Sequence, residues 1–101
     1  MPPSTATYKF GEKIFLGNAD ALMIHVDKFF NDESVTTIVF DLDQVRLCDS
    51  YGLKFLISCQ RKCNTAGKKL LLYRPDSILR EMLDNTKLTH FFALTDQLPQ
   101  S

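Results

Sequence analysis

The chain is 101 residues long, 45% hydrophobic and 24% charged, enough for one domain around one core. Its 12 basic residues balance its 12 acidic ones, so no net field draws nucleic acid or an anionic membrane. No apolar run is long enough to span a bilayer, and Met1-Pro2-Pro3-Ser4-Thr5 lacks the charged and apolar regions of a signal peptide. Three cysteines, Cys48, Cys59 and Cys63, are too few for a disulfide framework, so a reducing, cytoplasmic setting without membrane insertion is expected.

Thr5 to Phe10 alternates weakly and predicts an edge strand that Gly11 breaks. Lys13 to Leu16 predicts a second strand, with a hairpin or bulge at Gly11-Glu12. From Ala19 to Phe30 the apolar residues Leu22, Met23, Val26, Phe29 and Phe30 fall at helical spacing, with Asn18 as the N-cap. After a polar loop, Val35 to Leu42 is the strongest strand signal. Its consecutive Ile38, Val39 and Phe40 suit a strand buried on both faces. Asp43-Gln44 turns the chain, and Val45 to Cys48 reads as a short extended piece.

Ser50 to Ala66 has helical spacing, with Gly52, Leu56, Cys59, Cys63 and Ala66 on one broad face flanked by Leu53 and Phe55. Gly67 is suited to end it. Leu70 to Tyr73 predicts a buried strand. A helix follows through Leu83, with Pro75 or Asp76 in its first turn and Ile78, Leu79, Met82 and Leu83 inward. His90 to Leu94 reads as a last strand. Such β–α–β crossovers require parallel pairing. The expectation is therefore a single α/β domain over residues 1–101, with frayed ends at 1–4 and 97–101. Its sheet is mixed and mostly parallel, of four to five strands, with helices packed against it.

The sequence holds no glycine-rich phosphate loop with lysine, no G-x-G-x-x-G and no G-x-S-x-G around Ser50. His25 and His90 are isolated, and nothing in their spacing joins them to Ser50. Cys59 and Cys63 stand one helical turn apart, but two thiolates do not close a zinc site, and buried cysteine behaves as a small hydrophobe. Asp41, Asp43 and Asp49 form an acidic cluster for which turn hydrogen bonds are favoured over Mg²⁺. No catalytic residue, metal or cofactor is expected.

Asp49-Ser50-Tyr51-Gly52-Leu53 is the informative step. It joins an extended piece to a helix, where N–H groups lack intrahelical partners and a phosphate is well tolerated. Ser50 can serve there as helix cap, with Asp49 an equal candidate, and also as a phosphate acceptor.

With these residues the chain resembles a STAS domain, the fold shared by bacterial anti-sigma factor antagonists and the cytoplasmic tails of sulfate transporters. Gly17-Asn18-Ala19-Asp20 is similar to the family's glycine-x-x-aspartate, and Ile38 to Leu42 to its central strand. Asp49 to Leu53 resembles its aspartate-serine-(serine or threonine)-glycine-leucine signature, and Ala66-Gly67 before Leu70-Leu71-Leu72 its helix stop. The resemblance implies a non-enzymatic, phospho-switchable binding module. Ser50 would be phosphorylated by a partner that is both anti-sigma factor and serine-threonine kinase, with a phosphatase reversing it. The implied partner surface is Asp20, Asp49, Ser50, Tyr51, Lys54 and Phe55. The alternative within the family is a non-switching STAS subunit of a phospholipid transporter, with Tyr51 and Phe55 at the interface and Ser50 only a cap. The chain departs from the family at Tyr51, which replaces serine or threonine, and at Ala19, which replaces leucine. Lys87 replaces a common glycine, which predicts a different backbone in the last loop because non-glycine residues avoid positive φ.

Overall fold

The computed structural model describes residues 4–99. The expected fraying of residues 1–3 and 100–101 lies outside them. Strands β1 (Ser4–Lys9), β3 (Val35–Asp41), β5 (Lys69–Tyr73) and β6 (Ala93–Thr95) form one sheet in the order β1-β3-β5-β6. A second sheet pairs β2 (Lys13–Ile14) with β4 (Leu47–Cys48). Every pairing among the described residues is parallel, the limiting case of the expected sheet. Helices α1 (Ala19–Asn31), α2 (Ser50–Ala66) and α3 (Ser77–Asn85) occupy the three crossovers. The sheet order advances in one direction, so right-handed crossovers put all three helices on one face.

Strand alternation sends Ala6, Tyr8, Phe10, Ile38, Phe40, Leu42, Leu70 and Leu72 to that face, where they join one core with Val26, Phe30, Leu56, Leu79 and Leu83. Val39 points the other way and is still fully buried, between Thr7 and Leu71 in register, so β3 is buried on both faces. Phe10, Phe40 and Phe55 form an aromatic cluster with ring centroids 5.0–6.2 Å apart. It lies beneath the first two turns of α2 and fixes how that helix sits on the sheet.

Several expectations change at the ends of elements. No hairpin forms at Gly11-Glu12: β1 pairs with β3, and β2 is only two residues long and pairs with β4. Ser4 is held in β1, its amide and hydroxyl donating to the Ser34 carbonyl at 3.2 and 2.7 Å. Gln97 is likewise tied by its amide to Thr95 Oγ1 at 3.1 Å. Asp76 caps α3 through Oδ1, which accepts from the Leu79 amide at 2.9 Å, and this settles the choice between Pro75 and Asp76. The buried stripe of α3 is then centred on Leu79 and Leu83, which leaves Ile78 63% exposed rather than inward. Ala66 is exposed on the last turn of α2, and Gln60 takes a place on its buried face. His90 to Phe92 is a turn rather than strand: the Phe91 amide donates to the Leu88 carbonyl at 3.0 Å, Phe92 plugs the core and His90 is exposed.

Helices α2 and α3 end alike. After α2, the Lys68 amide donates to the Cys63 carbonyl at 2.8 Å across Gly67, whose φ is 72°. After α3, the Leu88 amide donates to the Leu83 carbonyl at 2.8 Å across Lys87, whose φ is 61°. The glycine-type backbone is thus kept at Lys87, contrary to the expectation of a different loop. The paired Leu88–Leu83 closure and the two hydrogen bonds from Thr86 Oγ1 to the Met82 and Leu83 carbonyls hold lysine in this conformation. A left-handed non-glycine residue costs about 1–2 kcal/mol, and glycine returns part of that as unfolded-chain entropy. Lys87→Gly is therefore expected to stabilise the domain by about 0.5–1 kcal/mol in urea unfolding. A destabilised variant would contradict this reading of the turn.

Candidate functional site

The two-residue β2–β4 pair organises the site. Glu12 leads into β2, and its carbonyl accepts from the Arg46 and Leu47 amides at 2.7 and 3.0 Å. The segments leaving β2 and β4 therefore emerge side by side, and the N-termini of α1 and α2 adjoin. Asp49 locks them together. Its Oδ1 accepts from the Gly52 amide at 2.8 Å and caps α2, while its Oδ2 accepts from the Leu16 amide at 3.1 Å, in the chain leading to α1.

Gly52 is required by this approach. A Cβ there would lie 2.0 Å from the Ile14 carbonyl oxygen and 2.9 Å from Cys48 Sγ. The first turn of α2 thus rests on the backbone of the β2–β4 pair, and only glycine leaves room. This gives a steric reason for the glycine in the Asp49–Leu53 step.

Ser50 is the first residue of α2 and is exposed. Asp49 does the capping, and the Ser50 hydroxyl makes no hydrogen bond among the described residues. Of the two capping candidates the structure selects Asp49, which leaves the serine oxygen without a structural duty. Asn18 also differs from expectation. It precedes α1 but makes no side-chain cap; its Oδ1 accepts from the Phe15 amide at 3.0 Å and its Nδ2 donates to the Lys13 carbonyl at 2.8 Å. It holds the loop that carries Leu16, and so supports Asp49 indirectly.

Beside Ser50 runs a groove of about 250 Å³ between α1 and α2, lined by Leu16, Asp20, Met23, Tyr51, Lys54 and Phe55, among others. The structure thus brings together four of the six expected surface residues around one groove, with Asp49 and Ser50 at its end. Tyr51 is 48% exposed and lies under Lys54, whose Nζ is 5.5 Å from the ring centroid. Phe55 is 5% exposed and stacks on Phe40, so it is a core residue forming the groove floor rather than a free contact. Leu16, 63% exposed, forms the opposite rim. Its place was not legible, because an apolar residue between a strand and a glycine ordinarily reads as the end of the strand.

The charges are ordered. The Gly52 amide on Oδ1, with the Leu16 amide on Oδ2, holds the Asp49 carboxyl below its ordinary value of 3.8. A depressed carboxyl stabilises the fold above its unfolded pKa, and that contribution is lost as pH falls through the folded value. The stability difference between wild type and Asp49→Asn is therefore expected to stay constant from neutral pH to about pH 5 and to narrow in stronger acid. A difference independent of pH throughout would contradict the capped carboxylate.

The other chemistry-bearing residues do not join Ser50. His25 lies on α1 with its ring stacked near Tyr8, centroids 6.3 Å apart, and His90 lies beside the C-terminal half of α2. Asp41 Oδ1 accepts from the Asp43 amide at 3.1 Å, the turn role favoured from sequence. Burial pushes the Cys63 and Cys48 thiols up to about 11 and Cys59 higher still, so all three remain protonated near neutral pH. Among the described residues no three His, Cys, Asp or Glu side chains are grouped to hold a metal ion. No helix among them is long and apolar enough to cross a membrane.

A parallel α/β sheet with its helices packed against it is the fold of STAS domains. The STAS domain family model matches residues 2–100, and the chain belongs to that family. Among solved structures, the chain is similar to a putative anti-sigma factor antagonist, TM1081 of Thermotoga maritima, with a TM-score of 0.85 at 20% identity over 93% of this chain and 80% of that one. A sulfate transporter family protein of Wolinella succinogenes gives a TM-score of 0.81 at 22% identity over 96% and 80%. The anti-sigma factor antagonist SpoIIAA in its unphosphorylated form gives 0.73 at 15% identity over 97% and 84%. These likenesses establish the fold. No curated protein matches the chain by sequence.

Proposed function

We propose that this protein is a phospho-switchable binding module of the anti-sigma factor antagonist type, and that it performs no catalysis itself. Its partner is an anti-sigma factor that is also a serine-threonine kinase. The observation that carries this reading is the Ser50 hydroxyl, exposed at the start of α2 and relieved of capping by Asp49. SpoIIAA, similar in fold, has been solved in phosphorylated and unphosphorylated forms, which supports a phosphorylation switch here.

In the switch, Ser50 Oγ attacks the γ-phosphorus of ATP held by the partner. The new O–P bond forms as the bond to ADP breaks, and the hydroxyl proton passes to a base of the kinase. The product brings a charge of about −2 to a helix N-terminus that favours anions. The ionised Asp49 and nearby Asp20 oppose it. The fold therefore tolerates the phosphate, while a partner seated over Asp20, Tyr51 and Lys54 meets a new unpaired charge. A phosphatase would restore the binding form. The setting expected is the cytoplasm.

A second reading keeps Ser50 unmodified and makes the groove a permanent interface in a membrane transporter complex. The likeness to a sulfate transporter family protein and the exposed Tyr51 favour it. Capture of partners from the native host with wild type and Ser50→Asp, with mass spectrometry of the recovered protein, separates the two. A kinase captured by wild type only, with phosphate on Ser50, supports the switch. A transporter ATPase captured equally by both supports the permanent interface.

A further inference from the structure

The groove beside Ser50 carries on its rim a cation without an ionic partner. Lys54 is exposed and forms no ion pair among the described residues, although Asp20 of α1 lines the same groove. Its side chain runs back toward the start of α2, as long helical side chains do, and sets the ammonium over the Tyr51 ring, 5.5 Å from the centroid. Tyr51 stands three residues before Lys54 and Ser50 four, the two neighbours one turn back on a helix surface. Ser50 is therefore the other residue that the Lys54 ammonium reaches, by rotation of its own side chain with the backbone of α2 unmoved.

Other donors around a phosphate on Ser50 are already engaged. The Gly52 amide donates to Asp49 Oδ1 at 2.8 Å and the Leu53 amide to the Asp49 carbonyl at 2.9 Å. Arg46, four residues before Ser50, donates to the Asp43 and Val45 carbonyls at 2.8 and 3.0 Å. Lys13 of β2 lies over the Phe15 ring, 5.7 Å from its centroid. The next basic residue of α2 after Lys54 is Arg61, about two turns further on. The charged groups at this end of the groove are thus Asp20 from α1, Asp49 at the head of α2, and Lys54. A phosphate repels the first two and attracts the third.

We propose that a phosphate on Ser50 draws the Lys54 ammonium off the Tyr51 ring and pairs with it, so that phosphorylation reshapes the rim of the groove as well as charging its end. This rests on Ser50 being the modified residue. An anion four residues before a cation is the favourable order on a helix. Three acceptor oxygens with a charge of about −2 hold an ammonium more strongly than an exposed aromatic face does. One ammonium offsets at most half of that charge, so a docked partner still meets an unmatched negative charge. The partner also loses the cation that the unmodified rim presents. Tyr51, where the family has serine or threonine, then has a duty: its ring holds the ammonium within reach of Ser50.

Protein with phosphoserine placed at position 50 during translation tests this without a kinase or a partner, so the outcome is separate from whether Ser50 is the natural acceptor. Phosphorus-31 signals followed against pH give the second ionisation of the phosphate, and carbon–proton spectra give the ring-current shift of the Lys54 ε-methylene. In the unmodified protein that methylene is expected upfield, and Tyr51→Leu should abolish the shift. With the phosphate present, the shift should fade as the phosphate takes its second charge. Lys54→Gln should raise the second pKa of the phosphate by about 0.3–0.5, because the ammonium favours the dianion, and Lys13→Gln should leave it unchanged. Identical titrations in wild type and Lys54→Gln overturn the proposal, as does an equal effect of Lys13→Gln or a Lys54 methylene that the phosphate does not move. Lys54 and Lys13 are both exposed, so these variants keep the fold.

Discussion

Gly52→Ala is expected to destabilise the domain by about 3 kcal/mol, with a fall in Tm of more than 10 °C as the order of magnitude. Two effects oppose each other. Alanine in a helix is worth about 1 kcal/mol over glycine. Against this, the new methyl would sit 2.0 Å from the Ile14 carbonyl oxygen and 2.8 Å from its carbon. Neither is the end of a flexible side chain. The first turn of α2 or the β2–β4 pair must move, and Phe55 would lose its fit against Phe10 and Phe40. Backbone overpacking at this depth outweighs the propensity gain. Thermal and urea unfolding check it; a variant as stable as wild type would show that α2 does not rest on Ile14.

Ser50→Asp is expected to leave stability within about 0.5 kcal/mol of wild type while reducing partner affinity about 100-fold. The added carboxylate gains from the helix N-terminus and loses to Asp49, two terms of similar size at an exposed position. At the interface nothing offsets it, and an unmatched charge against a docked partner costs several kcal/mol. Ser50→Ala should bind like wild type, because the hydroxyl makes no hydrogen bond within the described residues, and should be insensitive to the kinase. Titration calorimetry beside thermal unfolding separates affinity from stability. Equal loss of binding in both variants would indicate that the hydroxyl is a contact rather than a switch.

The sequence made the scaffold legible where one local signal had one structural outcome. Ile38-Val39-Phe40 needed burial on both faces and found it in a central strand, and Gly67 ended α2 as its chemistry required. The Asp49–Leu53 step was legible as a strand-to-helix junction. The division of labour within it was not, because Asp49 and Ser50 are equally good caps in isolation. What decided it was Leu16, brought alongside by the β2–β4 pair so that Asp49 could bridge two amides. That pair is two residues long and non-local, so no periodicity reports it. Ile78, Ala66 and His90 to Phe92 went astray for a related reason: each lies at an element end, where cap geometry rather than period sets which face is buried. Lys87 shows the limit of a residue preference, since a closed Schellman-type turn holds lysine at a φ that favours glycine.

On the proposed function, a phosphate on Ser50, and not elsewhere, releases the partner. The most direct measurement is the affinity of the captured kinase for this protein before and after stoichiometric phosphorylation, with the modified residue mapped by mass spectrometry. A single phosphate on Ser50, a fall in affinity of about 100-fold, and recovery on dephosphorylation are expected. Phosphate on another residue, or unchanged affinity with Ser50 fully phosphorylated, would contradict it.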